Sequence, residues 1–164
     1  MELTNAQKIA NLKRVVHANT DISRKAFDPT LKRDIVNCYG YAIGSDLPYE
    51  KFYSIGNISG LRSIGTSLKS VAQAEKLLFL DMEELGLGIE KYKDDEIGDD
   101  QYLIKLILKI YANGLIHDFH FLRSEDGREW TEKWKGQHPR KLDSYSTQYD
   151  HFPYQVVGVY KVTR

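Results

Sequence analysis

The sequence predicts an α+β fold, with helices first and an antiparallel sheet second. Three observations predict it. Apolar residues recur at helical spacing as far as Leu85, then alternate at period two from Ile104 onward. Two dipeptides, Asn113-Gly114 and Asp126-Gly127, separate the alternating segments and carry the turn chemistry of antiparallel hairpins. Finally, 164 residues is the size of one domain. A chain of that length holds a core without disulfides or metal, so residues 1–164 read as a single domain.

Each element has a local signal. Thr4-Asn5 precede a helix whose Ile9, Leu12 and Val16 share one face. Asp28-Pro29-Thr30 reads as a second helix start, with Asp as N-cap and Pro in the first turn. The stretch from Gly56 through Gly60 to Gly65 reads as loop. Ser67 to Leu85 is the clearest helix: Leu68, Val71, Ala72, Glu75, Leu78, Phe79, Met82 and Leu85 trace a mostly apolar stripe, and Gly86 stops it. Lys91 to Asp100 is charged and reads as exposed. Ile104, Leu106, Leu108 and Ile110 then alternate with Lys105, Ile107, Lys109 and Tyr111, as in a half-buried strand. His117 to Arg123 is the return strand, Trp130 to Trp134 a third, and Val156 to Val162 a closing one. Gly136 to Tyr154, polar and with two prolines, reads as a long loop.

Composition excludes several function classes. Lys+Arg and Asp+Glu are 23 each, so the chain lacks the excess positive charge of a general nucleic-acid binder. Its most apolar region, Leu103 to Tyr111, is interrupted by Lys105 and Lys109, whereas a membrane span needs about 20 predominantly apolar residues. The opening Met1-Glu2-Leu3-Thr4-Asn5 has no basic start with an apolar stretch behind it. A single cysteine forms no intrachain disulfide and fits a reducing compartment. The expectation is a cytoplasmic protein without nucleic-acid or membrane partners; its oligomeric state is left open.

Chemistry centres on Cys38, in Asn37-Cys38-Tyr39-Gly40-Tyr41-Ala42, and on His117-Asp118-Phe119-His120-Phe121. A thiol needs a base to become a nucleophile at neutral pH, and imidazole is the usual one. A helix N-terminus favours the thiolate and offers free N–H groups to an oxyanion. Asn37 as a fresh N-cap places Cys38 at such a start; an unbroken helix from Asp28-Pro29 places it mid-helix as a small buried hydrophobe. His117 and His120 fall on opposite strand faces, a poor arrangement for a shared metal, so neither a metal nor another cofactor is expected. His138 and His151 read as solvated loop residues, and Lys32-Arg33 as a solvated face. Trp130, Trp134, Tyr145 and Tyr149 suit packing roles or the lining of a cleft. Gly86-Leu87-Gly88 is a helix stop and not a phosphate loop, since no strand precedes it.

Four motifs fall in one order: Asn37-Cys38-Tyr39-Gly40-Tyr41-Ala42, Gly56-Asn57-Ile58-Ser59-Gly60, Asp118-Phe119-His120-Phe121-Leu122-Arg123, and Asp126-Gly127-Arg128-Glu129-Trp130-Thr131-Glu132-Lys133. In this the chain resembles small bacterial and phage proteins of the papain-like (NlpC-like) cysteine hydrolase class, from Asn37 to Gly136. The resemblance implies a papain-like fold, with the thiol on the helical half and the imidazole on the sheet. It makes Cys38 the nucleophile and His120 the base, and places Glu132 where the family pattern has histidine. A carboxylate there can orient an imidazole.

Turn length decides whether Glu132 reaches His120. A two-residue Asn113-Gly114 turn pairs His120 with Ile107 and Asp118 with Lys109. A two-residue Asp126-Gly127 turn would pair His120 with Lys133 and put Glu132 on the wrong face; a three-residue turn would pair His120 with Trp134 and make Glu132 a same-face diagonal neighbour. Asp118 and Asp143 are alternatives for the third residue, and Glu132 can equally be a surface carboxylate beside Lys133. The expected function is a cysteine-dependent hydrolase or acyltransferase acting on an amide bond of a protein or peptide, with the Cys38 N–H and Asn37 as oxyanion donors. The alternative is a non-catalytic protein-binding module on the same fold.

Overall fold

The structure, a computed structural model, describes residues 1–20, 22, 36–143 and 147–164. The helix start at Asp28-Pro29-Thr30, the Lys32-Arg33 face and Tyr145 lie outside the described residues.

Helix α1 (Asn5–Ala18) starts with a capping box: the Thr4 hydroxyl accepts from the Gln7 N–H, and the Gln7 side chain accepts from the Thr4 N–H. Leu12 and Val16 are its buried residues, with Ile9 packed partly against the core. Helix α2 (Cys38–Ile43) is a separate short helix, begun by Asn37 and ended by Gly44 at φ 87°, a conformation that favours glycine. Helix α3 (Val71–Glu84) starts later than the stripe suggests, because Ser70 and not Ser67 caps it, accepting from the Gln73 N–H at 3.0 Å. Leu68 is buried all the same, from a non-helical position.

The sheet has six strands: β1 (Gly88–Lys91), β2 (Gln101–Ile110), β3 (Ile116–Ser124), β4 (Thr131–Glu132), β5 (Arg140–Lys141) and β6 (Tyr154–Thr163). Their spatial order is β1-β6-β2-β3-β4-β5, and every pairing is antiparallel. The meander of β2, β3 and β4 and the closing β6 match the alternating segments. Two short strands, β1 and β5, form where the sequence reads as helix stop, exposed segment and loop. The last strand, β6, lies between β1 and β2, which do not pair with each other.

Ile107 faces His120 and Lys109 faces Asp118, as the short hairpin requires. The turn itself is longer: the Tyr111 N–H bonds Leu115 O, and a register shift beyond Lys109 absorbs the extra residue. At the next hairpin Leu122 faces Glu132 and Arg123 faces Thr131. That register puts Glu132 on the His120 face. The Asp126 carboxylate holds the connection by accepting from the Arg128 and Glu129 N–H groups.

The sheet is covered on both sides. Ile104, Leu106, Leu108 and Phe121 pack with the helices in the main core, where Tyr39 stacks on Phe121 at 5.2 Å. Ile107 and Leu122 on the other face form a second cluster with Tyr149, flanked by Trp130, Trp134, Leu142 and Tyr154. Among the described residues no helix is long and apolar enough to cross a membrane.

Candidate active site

Cys38 is the first residue of α2. Asn37 makes it so: its side-chain oxygen accepts from the Tyr39 and Gly40 N–H groups at 3.0 Å each. The same side chain donates to Tyr53 O at 2.7 Å. Asn37 is therefore engaged as an N-cap and, through one N–H of its amide, as a tether to Tyr53.

The Cys38 thiol is buried, and burial pushes it up to about 12, with the charge of Asp118 acting the same way. Backbone N–H groups of Phe121, Tyr39 and Cys38 itself work in the opposite direction without matching it. Helix α2 packs against β3, which pairs with β4 only through Leu122 and Arg123.

His120 is the neighbour of Phe121 and points to the opposite face from it. Its Nε2 meets Glu132 Oε2 at 2.9 Å, with both side chains buried. Trp134 stacks on the ring, with centroids 3.9 Å apart and planes 8° from parallel. Among the described residues the buried Nδ1 has no hydrogen-bond partner, so no bond joins it to the Cys38 sulfur. One nitrogen is committed to a carboxylate and the other is uncommitted, which fixes the polarity a general base needs. The ring borders a cavity of about 120 Å³, shared with Lys109, Trp134 and Tyr154.

Glu132 is fully buried and still ionised. Burial raises its carboxyl, but hydrogen bonds from His120, Tyr149 and Arg140 prevail and hold it at about 2. The Tyr149 hydroxyl donates at 2.6 Å and Arg140 Nε at 2.6 Å. The alternatives Asp118 and Asp143 are exposed, and Asp118 accepts from the Phe119 N–H. His138 and His151 are exposed, and the His117 ring lies tilted against Tyr111, with centroids 5.1 Å apart. No group of three or more His, Cys, Asp or Glu among the described residues could hold a metal ion.

Two contributors escaped the sequence reading, Arg140 and Asp81, while Tyr149, read there as packing or cleft lining, also bonds Glu132. Arg140 and Tyr149 come from a segment with no periodicity, so nothing marked their approach to Glu132. Asp81 is buried on the core side of α3, accepting from the Tyr39 hydroxyl at 2.6 Å and from the Gly56 and Ser59 N–H groups at 2.8 Å. It ties the glycine-rich turn to the residue after Cys38. A carboxylate between Leu78 and Met82, on the buried side of the stripe, was the available signal.

Comparison of the chain with family models, with curated proteins and with solved structures gave no match. The class that fold and site define is thus an α+β protein with a helix-start cysteine on α2, which packs against the strand that carries His120, itself paired with the buried Glu132.

Proposed function

We propose that the protein is a papain-like cysteine hydrolase or acyltransferase acting on an amide bond of a protein or peptide. The observation that carries this reading is His120, held through Nε2 by an ionised Glu132 while Nδ1 stays uncommitted, on the strand against which the Cys38 helix packs. The resting thiol is neutral, so proton transfer accompanies attack; no thiolate–imidazolium pair waits in advance. The Cys38 thiol gives its proton to Nδ1 as the sulfur bonds the carbonyl carbon. Glu132 stabilises the imidazolium, and the Cys38 backbone N–H is the nearest oxyanion donor. The ring returns the proton to the departing amine, leaving a thioester for water or a second amine.

A second reading, a non-catalytic protein-binding module, is favoured by the burial and raised pKa of the thiol. An activated ester separates the two. Incubation with p-nitrophenyl acetate should acylate Cys38, seen by intact mass, and His120→Gln should abolish acylation in a folded protein. A native protein that resists acylation while its unfolded chain reacts would favour the binding module.

A further inference from the structure

A cavity of about 840 Å³ opens on the His120 face of the sheet. Its lining includes Leu122, Trp130, Leu142 and Tyr149, most of the apolar cluster on that side of the sheet. Tyr149 links it to the catalytic group: its ring lies against His120 at 5.2 Å and its hydroxyl bonds Glu132. The smaller cavity beside His120 lies across the Tyr149–Tyr154 ring pair.

Lys105 enters the large cavity from β2, half-buried, with Nζ 4.7 Å from the Trp130 ring. It forms no ion pair among the described residues. The rim carboxylates are differently engaged: Glu129 pairs with Lys141 at 2.7 Å, Asp143 has a contact of its own, and Asp150 acts on Lys105 only through space. Arg128 at the rim adds a second cation. An ammonium held against an aromatic ring in a cavity of mixed polarity, with no carboxylate at ion-pair distance, is a recognition point for an anion on an apolar body.

We propose that this cavity binds a carboxylate of the peptide substrate, with Lys105 as the group that selects it. The carboxylate comes from an acidic side chain or from a peptide C-terminus; the chemistry at Lys105 is the same. This rests on the proposed hydrolase only in calling the ligand a substrate, and binding is testable without turnover.

The experiment uses the full chain with Cys38→Ala, so that no acyl transfer intervenes. Four short peptides of one apolar sequence are titrated against Trp130 fluorescence: a free C-terminus, its amide, and the amide carrying an internal Glu or Gln. Trp130→Phe assigns the signal, since the chain has two tryptophans. At least one carboxylate peptide should bind about tenfold or more tighter than its neutral counterpart, and which one identifies the source. Lys105→Met should erase that preference without lowering thermal stability, and Lys105→Arg should retain it. Equal binding of charged and neutral peptides, no binding by any of them, or a preference that survives Lys105→Met in the folded protein would overturn the proposal. An inert thiol in the ester assay would leave this result intact and remove only the word substrate.

Discussion

Replacing Glu132 by Gln keeps the shape of the side chain and removes its charge. In the fold the carboxyl is held at about 2, against 4.5 for an ordinary glutamate. Between those values the unfolded chain takes up a proton that the folded chain refuses, so stability falls as pH drops. The contribution is fully present above about pH 5 and is lost progressively as pH falls through about 2. At ~1.4 kcal/mol for each pH unit separating the two states, it amounts to ~3 kcal/mol at neutral pH. Urea unfolding followed by tryptophan fluorescence, from about pH 7 down to about pH 2.5, measures it. The Glu132→Gln variant should be less stable by roughly 2–3 kcal/mol at neutral pH and should lose less on acidification. Its amide still reaches His120 and Tyr149, so the fold survives and any acyl transfer should fall more than stability does. Parallel stability curves for the two proteins would refute the assignment of the buried charge to Glu132.

Two further outcomes follow from the same geometry. Cys38 in the native protein should alkylate with iodoacetamide more slowly than in the unfolded chain, with a rate still rising at about pH 10; a plateau near neutral pH would show a resting thiolate. Asp81→Asn replaces one of the two oxygens that accept from Tyr39, Gly56 and Ser59 with an NH2 facing a donor, and should cost about 2–3 kcal/mol in urea unfolding, with faster Cys38 alkylation as the turn loosens; an unchanged midpoint would mean that the clasp adds no stability.

What was legible in the sequence had a local cause. The hairpins follow from Asn113-Gly114 and Asp126-Gly127, and Glu132 reaches the His120 face because the Asp126 connection runs longer than two residues. Asn37 reads as a helix start because its side chain competes well for free N–H groups, and it caps α2 in that way. Strand β1 was hidden because Gly88-Ile89-Glu90-Lys91 has little apolar alternation and exists through its partner β6. Glu75 sits in the apolar stripe of α3 because it accepts from the Tyr160 hydroxyl on β6, a contact made only by the assembled fold. The neutral state of Cys38 was equally out of reach, since it depends on how tightly β3 and α2 close over the sulfur.

The placement of β6 has a consequence for how the chain reaches this fold. Gln101 and Thr163, bonded across the sheet, are 62 residues apart, and β1 has no partner until β6 arrives. The β2–β3 hairpin can form early from local contacts, but one edge of β2 stays open until the last strand is synthesised. That edge carries Leu103, Ile104, Leu106 and Leu108, an apolar run suited to pairing with another chain. Fragments ending before Tyr154 are therefore aggregation-prone by construction, and the closing of the sheet is a late, loop-closure-limited event.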